Sequence, residues 1–114
     1  MSDEQRKPAD LTDLLEDLAG QEGAIKDLIG QFNLDAPRYL QHLRQAAGEG
    51  DGRGVEQAAH RLKSLLGIFQ AMPAYELAES LEECGRRNTW GEVSFLVAEF
   101  SAELDRVRDY LDQF

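Results

Sequence analysis

The chain has 114 residues, 42% apolar and 30% charged, which suits one folded domain with an ordinary core and leaves no room for a second. Its formal net charge of −10, from 22 acidic and 12 basic residues, argues against nucleic acid and anionic membrane surfaces as partners. A single cysteine excludes an internal disulfide framework and a Cys-rich zinc site; with only two histidines, no metal site is expected. No apolar run approaches the ~20 residues that cross a bilayer, and residues 1–10 hold no apolar signal core, so a cytoplasmic protein is expected.

The dominant period is helical, and no window alternates polar and apolar residues over strand length. Residues 1–9 read as a flexible N-terminal arm, and residues 10–114 as a single helical domain. Asp10 is positioned to cap a short helix through about Leu18, with Leu11, Leu14, Leu15 and Leu18 on one side and Gly20 as its stop. A long helical segment follows from about Glu22 to Ala47. Its apolar positions are Ile25, Leu28, Ile29, Phe32, Ala36, Tyr39, Leu40, Leu43 and Ala46. Pro37 inside it predicts a kink, or a break with Asp35 capping a second half.

The glycine-rich stretch 48–54 reads as a loop. A helix from about Arg53 to Phe69 or Gln70 comes next, then one from Pro73 to about Cys84, ended by Gly85. Thr89 and Glu92 have capping-box spacing for a last helix. That helix carries Val93, Leu96, Val97, Phe100, Leu104, Val107, Leu111 and Phe114 inward. Phe32, Tyr39, Phe69 and Phe100 read as core, Cys84 as a small buried side chain and Trp90 as a packing residue. The acidic pair Glu82–Glu83 reads as a solvated face. The short connections predict an all-α fold: an antiparallel up-down-up-down four-helix bundle preceded by a short extra helix.

One helix departs from simple core-building. In 53–69 the apolar set is Val55, Ala58, Ala59, Leu62, Leu65, Leu66 and Phe69. At about 100° per residue, His60 points about 160° away from the centre of that stripe, into water. Glu56, Lys63, Ser64 and Gly67 share its face at helical spacing, and Ile68 flanks it. A helix interior that accepts Gly67, at about 1 kcal/mol relative to alanine, has removed bulk where a partner could approach. Between Arg53 and Met72, Arg53, Arg61 and Lys63 stand against Glu56 alone. The segment therefore carries +2 in a chain whose remainder carries −12.

A neutral imidazole is a competent nucleophile near pH 7, and a lysine one turn away can neutralise an anion held on it. No further catalytic equipment accompanies them: His42 lies on another helix's polar side, and no strand leads into a phosphate loop. A carboxylate metal bundle would need Glu-x-x-His pairs facing inward, and neither histidine has a glutamate three residues before it. A phosphoryl carrier fits a lone exposed His with Lys better than a stand-alone enzyme.

At this point the sequence resembles the histidine-containing phosphotransfer (HPt) domain family. The residues carrying the resemblance are Ala59-His60-x-Leu62-Lys63-Ser64, then Phe69-Gln70-Ala71, then Leu77, Leu81 and Glu82. The stretch from Leu28 to Pro37, with its acidic-Ala-Pro step at 35–37, is similar to the family's long helix. The resemblance covers about Leu11 to Leu111. Ser64 and Gln70 stand where the family usually has glycine.

The resemblance implies that His60 is the phosphorylated nucleophile and that Lys63 neutralises phosphoryl charge. Glu56, Ser64, Gly67 and Ile68 would then contact the partner. The implied partners are the receiver domain of a response regulator and a hybrid sensor histidine kinase. No cofactor is expected on this chain; the receiver is expected to bring Mg²⁺, and the exposed His60 face suits a monomer. The rival reading, favoured by Ser64 and Gln70, is a phosphorylation-silent helical adaptor that binds a receiver or another helical partner.

Overall fold

The computed structural model describes residues 6–114. Five helices follow in order: α1 (Thr12–Asp17), α2 (Glu22–Glu49), α3 (Gly52–Ile68), α4 (Met72–Arg87) and α5 (Val93–Leu111). Among the described residues there is no strand, and no helix is long and apolar enough to cross a membrane. α3 packs between α2 and α4, while α5 closes the ring against α4 and α2. The result is the expected four-helix bundle with a short helix in front.

The core is the union of the predicted apolar stripes. Phe32, Leu43, Leu62, Leu66, Phe69, Leu81, Phe100, Leu104 and Leu111 are all buried, at roughly 1.5–3 kcal/mol of transfer free energy each. Phe32 and Phe69 meet edge to face with ring centroids 5.4 Å apart. Leu15 and Phe114, expected inside, are instead 43% and 42% exposed. α1 is only six residues long and seats only Leu14 and Leu18 partway, and Phe114 lies beyond the end of α5, its ring 5.6 Å from that of Tyr110. Cys84 and Trp90 are half-buried against the core.

Helix boundaries show what local signals do in context. Asp10 does not take the N-cap position of α1, which falls to Leu11; one residue earlier, its carboxylate accepts from the Thr12 amide at 3.0 Å and from the Thr12 hydroxyl at 2.6 Å. α2 runs unbroken through Pro37. Asp35 does not cap a second half; its carboxylate accepts from Gln31 and Arg38 on the same helix surface. One lost backbone bond does not divide a helix of 28 residues anchored by Phe32, Ala36 and Leu43.

The glycine-rich loop is shorter than expected. α2 continues to Glu49, Gly50 turns left-handed at φ +67°, and Asp51 caps α3 by accepting from the Gly54 amide at 2.9 Å. The Thr89–Glu92 capping box does not form. Thr89 closes α4 instead, its amide donating to the Cys84 carbonyl at 3.0 Å beyond Asn88 at φ +53°, and α5 starts only at Val93. Gly85 does not stop α4, which continues to Arg87. Its role is steric: a Cβ there would lie 2.6 Å from both the Glu56 nitrogen and the Gly52 oxygen, so α3 and α4 touch backbone to backbone.

Of the expected arm, residues 1–5 lie outside the described residues. Residues 6–9 lie against the bundle. Ala9 is buried, Arg6 forms a paired contact with Glu76 of α4, and the Asp10 amide donates to the Phe69 carbonyl at 3.0 Å.

Candidate functional site

The site is built where α3 and α4 run closest. Val55, Ala59, Leu62 and Leu66 pull one face of α3 into the core, and the helical period leaves Arg53, Gln57, His60, Arg61, Ser64, Gly67 and Ile68 exposed along the other. The His60 side chain is 61% exposed, as its angular position predicts. Ser64 is small and turned inward on itself, its hydroxyl donating to the His60 carbonyl at 3.1 Å. A methyl group at Gly67 would meet only the Tyr75 ring at 3.7 Å, an ordinary contact, so nothing inside the bundle requires glycine there.

The residue that organises the site is Glu82 of α4. Its side chain is 9% exposed. One carboxylate oxygen lies 2.7 Å from His60 Nδ1, and the other accepts from Lys63 Nζ at 2.6 Å. Burial pushes the Glu82 carboxyl up, but the hydrogen bonds from Lys63 and His60 and their charges outweigh it and leave it below its ordinary value. Glu82 is therefore ionised at neutral pH and can only accept. It follows that His60 donates from Nδ1, and in the neutral ring the lone pair then sits on Nε2.

Lys63 is turned towards α4 rather than standing free beside His60. Its side chain is 18% exposed, its ammonium lies 5.8 Å from the Tyr75 ring centroid, and the hydrogen bond to Glu82 raises its pKa above the ordinary value against a smaller effect of burial. Glu56, expected on the partner surface, is half-buried and accepts from Arg86 Nε at 3.1 Å across the α3–α4 seam. Arg86 also pairs with Glu83. Of the three cations on α3, Lys63 is thus spent on an α4 carboxylate, while Glu56 of α3 is engaged by Arg86 of α4.

Glu82 was legible only in part. Read with Glu83 it resembles a solvated pair, yet it stands four residues after Ala78 and three before Gly85, on the inward stripe of α4. A carboxylate on a buried stripe is the signal of a partnered charge. Gln70 also gains an explanation. It occupies the left-handed position that closes α3, at φ +47°, where glycine carries no steric cost, and its side chain donates to Asp13 of α1 at 2.9 Å.

The model of the Hpt domain family matches residues 27–110. The chain belongs to the Hpt domain family. This Hpt protein is accordingly a histidine phosphotransfer protein of phosphorelay signalling. Its fold is similar to the crystal structure of histidine-containing phosphotransfer protein B (HptB) from Pseudomonas aeruginosa PAO1. That likeness has a TM-score of 0.86 at 24% sequence identity, over 93% of this chain and 92% of the other. No curated protein matches the chain in sequence.

Proposed function

We propose that His60 is the residue that carries the phosphoryl group, on Nε2, and exchanges it with the aspartate of a response-regulator receiver domain. The observation supporting this most directly is the exposed imidazole whose Nδ1 is held by a buried, ionised Glu82. In the forward step the Nε2 lone pair attacks the phosphorus of the receiver's aspartyl phosphate. An N–P bond forms and the acyl P–O bond breaks. The aspartate departs as a carboxylate, and Nδ1 keeps its proton throughout, so no base is needed to activate the nucleophile. The phosphorylated ring is cationic, and the adjacent Glu82 carboxylate stabilises it.

Lys63 supports transfer by offering ammonium protons to the phosphoryl oxygens while holding Glu82 in place. Ser64, Gly67 and Ile68 lie on the surface that meets the receiver. Mg²⁺ belongs to the receiver, which also supplies the acceptor carboxylate. A hybrid sensor histidine kinase stands upstream, and the chain works as a cytoplasmic, monomeric phosphocarrier. The test is incubation with a panel of receiver domains labelled on their aspartates. The wild type should acquire acid-labile label and His60→Gln none. Equal labelling of both, or of neither, overturns the proposal. An unlabelled wild type that binds a receiver as tightly as His60→Ala does would identify an adaptor instead.

A further inference from the structure

Two stripes meet across the seam between α3 and α4. α3 contributes His60, Lys63 and Gly67, and the antiparallel α4 contributes Glu82, Glu79 and Tyr75. Glu82 meets His60 at one end. At the other end the edge of the Tyr75 ring lies over Gly67, where an added Cβ would stand 3.7 Å from Tyr75 Cε2. That register sets Lys63 opposite Glu79, an exposed carboxylate in the same cleft. Yet the Lys63 ammonium is bonded to Glu82, at the His60 end, 2.6 Å from Oε1. It also lies 5.8 Å from the centroid of the Tyr75 ring. Helical side chains lean back towards their own N-terminus, which carries Lys63 towards His60. A flexible four-carbon stem can still swing away from that position, so the lean alone does not hold it.

We infer that Tyr75 is a positioning residue for phosphoryl transfer: its ring fills the seam behind Lys63 and keeps the ammonium at the His60 end, off Glu79. This rests on the reading of His60 as the phosphoryl carrier and Lys63 as its charge partner. The ring attracts the ammonium electrostatically while Glu82 accepts one of its protons. The bare backbone of Gly67 lets the ring lie close against α3. Together the two contacts hold one rotamer of a side chain that otherwise has many, so less entropy is lost when the phosphoryl group arrives. Two ammonium protons remain for the phosphoryl oxygens. Without the ring, Lys63 gains the space over Gly67, and Glu79 competes for it at the wrong end of the cleft. The holding is done by the ring, so the phenol hydroxyl is dispensable.

The experiment measures phosphohistidine formation from the small donor phosphoramidate, which needs no docking, in variants whose folding is checked by circular dichroism. Lys63→Ala should slow it about tenfold or more, and Tyr75→Ala about three- to tenfold. Tyr75→Phe should stay within about twofold of wild type, because it keeps the ring. Adding Glu79→Gln to Tyr75→Ala should restore at least about half of the wild-type rate, because the competing charge is gone. In a Lys63→Ala background, Tyr75→Ala should change the rate less than about twofold, which a general packing defect would not do. In the wild type, NMR should show NOEs between the Lys63 ε-methylene and the Tyr75 ring. A folded Tyr75→Ala at the wild-type rate, an equal loss with and without Lys63, no recovery with Glu79→Gln, or absent NOEs overturns the inference. Lys63→Ala at the wild-type rate overturns the reading of Lys63, and a wild type that takes no phosphoryl overturns that of His60, so the failures are separable.

Discussion

Replacing Glu82 with alanine removes the acceptor that holds the His60 ring. A hydrogen bond to an ionised group is worth about 1.5–3 kcal/mol, and each 1.4 kcal/mol is a factor of ten in rate. His60 is 61% exposed, so water competes for Nδ1 and the lower end applies: about a tenfold slower phosphorylation. The stability cost is set by what is left behind. Lys63 loses its acceptor but is 18% exposed and can turn towards water, so about 1–2 kcal/mol is expected, or very roughly 4–8 °C in melting temperature. Glu82→Gln separates the two effects. Its amide oxygen still accepts from Nδ1–H, but the side chain no longer carries the charge that Lys63 pairs with. It should recover part of the rate, the share owed to holding the ring rather than to charge, and little of the stability. The assay is the rate of phosphohistidine formation from phosphoramidate, with folding checked by circular dichroism and the ring tautomer read by ¹⁵N NMR. A folded Glu82→Ala that reacts at the wild-type rate, or a Glu82→Gln as slow as Glu82→Ala, would refute the assignment of Glu82 as a positioning residue.

Other consequences can be checked directly. Gly85→Ala places a methyl group against the backbone of α3 and should cost about 2 kcal/mol or more, visible as a lower urea midpoint; an unchanged midpoint would deny the close helix contact. Gln70→Gly relieves a left-handed side chain, by about 1 kcal/mol, but gives up the exposed bond to Asp13; melting should show stability unchanged or higher, and a clear loss would show the bond outweighing the strain. Glu82 has a folded pKa below its unfolded value of 4.5, so its contribution is complete above that value and is lost as pH falls through the folded pKa. Acid titration of wild type and Glu82→Gln should therefore converge in stability at low pH, and parallel curves would contradict this.

Much of the fold was legible because helical periodicity and short connections leave few arrangements. The stripe on α3 placed His60 outside and Leu62 and Leu66 inside, and the structure agrees. What was hidden depends on contacts between elements. Gly85 has the local signature of a helix stop, but its missing Cβ serves a neighbouring helix, so α4 continues. Thr89 and Glu92 have the spacing of a capping box, but Thr89 is used to close the preceding helix. Glu82 next to Glu83 looks solvated until α3 supplies the lysine and histidine that make its burial tolerable. The +2 charge on α3 suggested a basic field around His60. Pairing with α4 spends Lys63, and Arg61 is turned towards the Tyr39 ring of α2.

If Glu82 holds Nδ1, the phosphoryl group should be carried on Nε2 of His60. ³¹P–¹⁵N NMR of the chain phosphorylated by its receiver reads the bonded nitrogen directly. Phosphorus should couple to Nε2 of His60, with the Nδ1 proton retained. Phosphorus on Nδ1, or on any other residue, would contradict it.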